Sequence, residues 1–166
     1  MFKIFIMSSI FLLISFNASA RDSLFYGVWG SDQNGFKSVW GNFLINEKQI
    51  YWGRLDKKLW KSDLDNYACS VDYEIVQRGK GKSFPDDSHA SLNSDDIYIY
   101  VRYKLNNKRC NYTKMPNPHY SKKLVYLQLS TGYRGLYGGN ATIIAYDLNK
   151  KTMGGGSASK INHLPK

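Results

Sequence analysis

Short stretches of β-branched and aromatic residues recur along this chain and limit its fold more than any other feature. Gly, Asn, Asp, Ser and Pro separate the stretches, and these residues favour turns. Asn46-Glu47-Lys48 has the length of a tight hairpin connection. The pattern predicts seven strands and a less certain eighth (110–114), at 24–29, 36–45, 49–55, 67–77, 96–105, 110–114, 123–130 and 141–148.

Apolar and polar residues alternate with a period of two within several of these stretches. Cys69, Val71, Tyr73 and Ile75 occupy one side of the fourth stretch, and polar residues occupy the other. Such alternation predicts one face in the core and one in solvent. The sequence therefore predicts an all-β fold, either a small antiparallel barrel or a sandwich. Strand order cannot be read from one sequence, so both architectures stay open.

Helical periodicity is weak in this chain. Residues 57–66 are the best candidate for a helix, and we expect at most one short helix. The polar stretch 79–95 and the proline-containing stretch 115–120 are predicted to be loops.

The first twenty residues have the pattern of a cleavable export signal. Lys3 provides the positive start, 4–16 are mostly apolar, and Ala18-Ser19-Ala20 is a small-x-small cleavage site. We therefore expect a signal peptide at 1–20, a single β domain at 21–153 and a flexible basic tail at 154–166. The expected location is the periplasm or the exterior of the cell.

Cys69 and Cys110 are the two cysteines of the chain. An even number of cysteines in an exported protein predicts a disulfide bond between them. Two distant cysteines are too few to hold a metal, and a catalytic thiol would need an activating base beside it.

The chain is basic, with a formal net charge of +10 at pH 7. Such a charge suits nucleic acid, anionic lipid, an acidic glycan or an acidic protein as partner, although a basic surface also serves solubility alone. Export argues against nucleic acid as the physiological partner.

Gly27-Val28-Trp29, near the start of the first predicted strand, resembles the Gly-x-Trp signature of lipocalins. The resemblance implies an up-and-down barrel with Trp29 packed across its closed end and an internal apolar site. The chain lacks the Thr-Asp-Tyr triplet of that family and an amphipathic helix after the last strand.

Trp29, Trp40 and Trp52 are each followed by glycine, at spacings of 11 and 12 residues. A glycine beside a tryptophan leaves room for the large ring. The repeated pair predicts either packing inside a barrel or a site for a small apolar ligand, because aromatic rings line apolar pockets.

Two tyrosine- and arginine-containing stretches are candidates for binding a partner. Tyr98, Tyr100 and Arg102 share one strand face, which otherwise is an ordinary exposed surface. The glycine-rich stretch 130–139 would present a second set in a loop, or is simply a long hairpin turn. That second set is Tyr133, Arg134 and Tyr137.

No pattern in the chain predicts a catalytic, cofactor or metal site. Asp86-Asp87-Ser88-His89 brings reactive side chains together, but neighbours in a polar loop rarely form a catalytic arrangement. We therefore expect a non-catalytic exported binding protein without a cofactor, of the kind represented by periplasmic inhibitors and immunity proteins. The alternative is a lipocalin-like carrier of a small apolar ligand, and a hydrolase is a third, weaker interpretation.

Overall fold

Eight antiparallel strands form a closed barrel in the computed structural model, which describes residues 23–31, 34–54, 64–81, 98–132 and 139–161. Each strand pairs with the next, and the last pairs with the first. The strands are β1 Gly27–Gly30, β2 Asn42–Ile45, β3 Gln49–Arg54, β4 Cys69–Gly81, β5 Tyr98–Cys110, β6 Tyr126–Gly132, β7 Asn140–Tyr146 and β8 Thr152–Lys160. The prediction of an all-β fold is confirmed, and the architecture is a barrel. An up-and-down barrel also agrees with the architecture that the lipocalin resemblance implies.

Two short α-helices lie in the connections, α1 at Asn34–Trp40 and α2 at Pro118–Lys123. Single 3₁₀ turns occur at Ser23–Phe25, Leu64–Asn66 and Tyr112–Lys114. The expectation of at most one short helix was therefore wrong in number. Most of the candidate helix at 57–66 lies outside the described part of the chain, and the 3₁₀ turn at Leu64–Asn66 forms the end of that stretch.

The predicted strand at 36–45 is divided between α1 and β2. Phe36 and Trp40 lie one helical turn apart and are both buried against the barrel. Burial of these two rings favours the helix over the strand propensity of the same stretch, since packing overrides local propensity.

The predicted strand at 110–114 and loop at 115–120 were also wrong. The side chain of Asn111 accepts a hydrogen bond from the backbone of Thr113 and caps a 3₁₀ turn. The side chain of Asn117 caps α2 in the same way, with Pro118 as the first helical residue. Proline is favoured at that position because its missing N–H has no partner in the first turn.

The predicted flexible tail from residue 154 is instead most of β8. This strand pairs with β7 from Thr152 to Ser159 and with β1 at Ser159 and Lys160. Gly154 has a φ of +151° and lies beside Trp40, since a Cβ atom there would be in ordinary contact with Nε1 of that ring at 3.8 Å.

Inward-facing side chains fill the barrel. Phe43 and Trp52 stack with ring centroids 6.2 Å apart, and the Trp52 indole donates to Ser121 Oγ of α2 at 3.3 Å. Both helices belong to connections at the same end of the barrel, which we call the helical end; the β2–β3 turn marks the hairpin end. The largest fully buried side chains of the described residues include Trp40, Trp52, Tyr103, Phe25, Phe43, Ile50, Leu127, Leu129 and Ile143.

Candidate functional site

The disulfide between Cys69 and Cys110 is confirmed. It joins the first residue of β4 to the last residue of β5, which face each other in the strand register. The bond fits an extracellular or periplasmic protein, because disulfides persist in oxidising compartments.

Trp29, Trp40 and Trp52 are all buried in the core. The Trp29 indole donates to the backbone oxygen of Phe25 at 2.8 Å, at the hairpin end. The Lys160 ammonium lies 5.7 Å from the centroid of the Trp29 ring, a cation–π distance. The three tryptophans therefore contribute to packing at separate places in the barrel, and Trp29 packs at a barrel end.

Tyr100 and Arg102 lie on the outer side of β5, because their neighbours Val101 and Tyr103 face the core. Tyr98 pairs with Gly132 of β6 in the strand register. The other predicted set, Tyr133, Arg134 and Tyr137, lies outside the described residues.

Arg102 is held in place on this outer side. Its Nε and Nη2 atoms donate to Gln128 Oε1 of β6 at 3.0 and 2.7 Å. Its guanidinium carbon lies 4.9 Å from the ring centroid of Tyr146 on β7. The Tyr146 hydroxyl reaches the same Gln128 oxygen at 3.5 Å. The guanidinium is therefore stacked and oriented rather than freely mobile.

Two polar side chains beside Arg102 are buried although they point away from the barrel core. Gln128 is 0% exposed and Ser130 is 1% exposed. Within the described part of the chain, Gln128 Nε2 and Ser130 Oγ have no hydrogen-bond partner. Arg102 donates both hydrogen bonds, so the Gln128 atom that accepts them must be the amide oxygen. The Nε2 atom of Gln128 therefore points away from Arg102. Buried polar atoms without partners are destabilising and call for an explanation.

Tyr100 is held flat on the sheet. Its ring covers Gly79 of β4 so closely that a Cβ atom at Gly79 would collide with it. Gln77 Nε2 donates to the Tyr100 hydroxyl at 3.0 Å. Little side-chain entropy remains to be lost when such a ring is covered by another molecule. We call Tyr100, Arg102, Gln128, Ser130 and Tyr146 the β5–β7 outer face.

Sequence analysis missed Gln128, Ser130 and Tyr146. Alternation in 123–130 places Gln128 on the polar side of its strand, but it does not show which residues lie opposite. The register Arg102↔Gln128 and Tyr126↔Tyr146 brings the three strands together, and a register is a property of paired strands.

A separate groove of about 490 Å³ lies at the hairpin end. Its wall includes Tyr26, Leu44, Tyr51 and Leu64. Leu44 and Tyr51 also belong to a small apolar cluster on the outside of the barrel. The Tyr51 hydroxyl donates to the side-chain oxygen of Gln49, and the polar part of the wall also includes Asn46, Glu47 and Lys48.

Comparison with known proteins gave no match: no family model, no curated protein and no solved structure is similar to this chain. Among the described residues, no three His, Cys, Asp or Glu side chains are grouped as a metal site requires. None of the helices in the described ranges has the length and apolarity to span a bilayer.

Proposed function

We propose that this chain is an exported, non-catalytic protein that binds another protein through the β5–β7 outer face, as periplasmic inhibitors and immunity proteins do. The observation that carries the proposal is Arg102 on the outer side of the sheet, oriented by Gln128 and stacked on Tyr146, beside the held ring of Tyr100. The disulfide and the signal-like first twenty residues support export.

An acidic side chain of the partner fits this face chemically. A carboxylate accepts several hydrogen bonds, and the Arg102 guanidinium has N–H donors beyond the two that Gln128 accepts. Arg102 also carries positive charge, and charge-assisted hydrogen bonds are stronger than neutral ones. Tyr100 adds a rigid aromatic surface next to the polar group, and both tyrosine and arginine are frequent at binding hot spots.

The packing of the barrel supports a surface site over an internal one. The tryptophans that would line an internal site are engaged with neighbouring side chains or backbone, as in the stacked pair Phe43 and Trp52. Arg102, in contrast, lies on the outer side of the sheet and is oriented by Gln128.

The test begins with gentle purification of the protein from its host and mass spectrometry of what remains bound. We expect a stoichiometric protein partner. Arg102→Gln should weaken binding of that partner at least tenfold, because it removes the cation that an acidic side chain of the partner would meet. Lys48→Gln, an exposed cation of the β2–β3 turn, is the charge-matched control and should bind normally. Normal binding by both Arg102→Gln and Tyr100→Ala would exclude this face.

A lipocalin-like carrier of a small apolar ligand is the second candidate. Trp29 packs at a barrel end, as the resemblance implies, and the groove at the hairpin end has the volume of a small-molecule site. A carrier should retain a stoichiometric small molecule through purification and lose it in Leu64→Gln, which makes the groove wall more polar. Retention of a protein and no small molecule would exclude the carrier.

A further inference from the structure

Acidic residues are missing from a long part of this chain. The sequence contains 13 Asp and Glu residues, and none lies from Ile97 to Tyr146. Two cations of that stretch pair with acids on β4: Lys104 with Glu74 and Arg109 with Asp72, each at 2.9 Å. The β5–β6 connection, which follows at the helical end, brings further lysines and no acid of its own.

Three lysines of this connection are exposed. Lys114, Lys122 and Lys123 have no carboxylate partner among the described residues, and the Lys122 ammonium lies 5.2 Å from the ring centroid of Tyr112. Lys108 is different, because its half-buried ammonium donates to the backbone oxygens of Lys122 and Leu124 at the end of α2. Lys108 therefore serves the fold, whereas the three exposed lysines are free to meet another molecule.

The β7–β8 turn lies beside this connection, since the backbone N–H of Val125 donates to Tyr146 at 2.9 Å. Leu148 at the turn is 72% exposed, the most exposed large apolar side chain of the described residues. Lys150 and Lys151 follow it and are also exposed. The nearby acid, Asp147, accepts hydrogen bonds from the turn's own backbone at Asn149 and Lys151, each at 2.9 Å.

We propose that the helical end of the barrel docks on a lipid bilayer that carries anionic headgroups. The lysine rim, defined as Lys114, Lys122, Lys123, Lys150 and Lys151, would lie against the headgroups. Leu148 and the partly exposed Tyr120 would enter the interfacial layer, where apolar and tyrosine side chains are favoured.

Chemistry favours a bilayer over an acidic protein at this end. Every cation of the rim is a lysine, a strongly hydrated point charge suited to a diffuse anionic surface, whereas arginine suits the paired geometry of a single carboxylate. Leu148 projects from the turn near these lysines. It supplies an apolar contact with the bilayer in addition to the electrostatic attraction. This surface is separate from the β5–β7 outer face, which lies on the side of the barrel.

The fold already fixes the conformation of the segments that carry the lysine rim. Lys150 adopts a positive φ of 61° in a turn that the Asp147 carboxylate stabilises. The α2 helix is fastened to the core by Ser121 and Leu124, both 0% exposed. Little ordering is therefore needed on docking.

The experiment measures co-sedimentation of the purified, disulfide-bonded protein with vesicles. We expect binding to vesicles with equal parts phosphatidylglycerol and phosphatidylcholine, little binding to phosphatidylcholine alone, and weaker binding as salt is raised. Lys150→Gln/Lys151→Gln should lower the partition coefficient about fivefold for each lysine removed. Leu148→Ser should lower it while leaving its salt dependence unchanged.

The matched control is Lys48→Gln/Lys80→Gln, which changes the net charge equally at exposed positions away from the helical end. We expect this control to bind mixed vesicles as the unmodified protein does. An equal loss in the control would mean that net charge alone drives binding and would overturn the proposal. Absence of binding to mixed vesicles at low salt would also overturn the proposal. It would do so even if the lysine rim proved necessary for binding an acidic protein.

Discussion

Replacing glycine by alanine should change the free energy of unfolding in opposite directions at Gly53 and at Gly35. Gly53 has a φ of +93°, and a Cβ atom there would lie 2.7 Å from the Ala68 Cβ. Gly53→Ala should lower the free energy of unfolding by about 1–3 kcal/mol, because the backbone conformation and the space both oppose a side chain. Gly35 in α1 faces open space, and Gly35→Ala should raise stability by about 0.4–1 kcal/mol. Urea unfolding measures both, and shifts of the same sign would contradict the local geometry.

The hydrogen bonds of the Asp72 carboxylate predict how the stability of the fold changes at acidic pH. Hydrogen bonds from Gln49 and Arg109 lower the pKa of the Asp72 carboxyl from 3.8 to about 2. Because the folded pKa is depressed, this carboxylate stabilises the fold above the unfolded pKa of about 3.9, and the contribution disappears as the pH falls towards 2. The melting temperature of Asp72→Asn should therefore fall less than that of the unmodified protein between about pH 5 and about pH 2.

The control for that titration is Glu47→Gln, which alters an exposed carboxylate of the β2–β3 turn outside the Asp72 network. It should keep the acid response of the unmodified protein. An identical response in Asp72→Asn would mean that the network contributes no pH-dependent stability.

Single residues were predicted well where their role depends on few neighbours. The disulfide followed from two cysteines and the export signal. The alternation in β4 correctly assigned Val71 to the core. No pattern of alternation marks the role of Gln128 and Tyr146, because that role depends on their cross-strand contacts with Arg102.

At the scale of elements, the disulfide fixes one end of the longest strand pair. Cys69 and Cys110 lie 41 residues apart in sequence, and closing a loop of this length stabilises a fold by roughly 3–4 kcal/mol in the chain-entropy model. Reduction should lower the unfolding free energy by about that amount, measured as the shift in urea midpoint with dithiothreitol. Cys69→Ser/Cys110→Ser should start at the reduced value and not respond to the reductant. A midpoint unaffected by reduction would show that the disulfide adds no stability beyond that provided by the pairing of β4 and β5.

Element types were mispredicted where packing partners were distant in sequence. Residues 36–40 carry aromatic and β-branched side chains that favour a strand, yet Phe36 and Trp40 bury their rings best from a helix. Residues 154–159 are rich in Gly and Ser and have the composition of a flexible tail. They form a strand because β7 supplies hydrogen bonds along one side, and Gly154 lies in contact with the Trp40 ring.

At the scale of the whole molecule, seven of the eight strands were predictable, whereas β8 and the closure of the barrel were not. Turn residues and alternation indicated seven or eight strands, but barrel and sandwich differ in whether the last strand meets the first. That contact is short here: β1 and β8 share the register pairs Trp29↔Lys160 and Gly30↔Ser159. Ile161 continues the seam by donating its backbone N–H to Val28 at 2.8 Å. A contact so brief, between ends of the chain, leaves no periodic signal in the sequence.

The closure gives a prediction for the whole fold. A chain ending at Lys151 lacks β8, so β7 loses a full row of hydrogen bonds and the ring of Trp40 loses its neighbour at Gly154. An exposed strand edge beside an opened core promotes association between molecules. We expect this chain to lose its cooperative urea transition and to aggregate, while a chain ending at Ile161 keeps both β8 and the seam and unfolds as the full-length protein does. Near-ultraviolet circular dichroism reports the packing of the buried tryptophans in both chains. A native spectrum and an unchanged urea midpoint in the shorter chain would mean that β1 to β7 fold without closure, and that β8 only covers a barrel already formed.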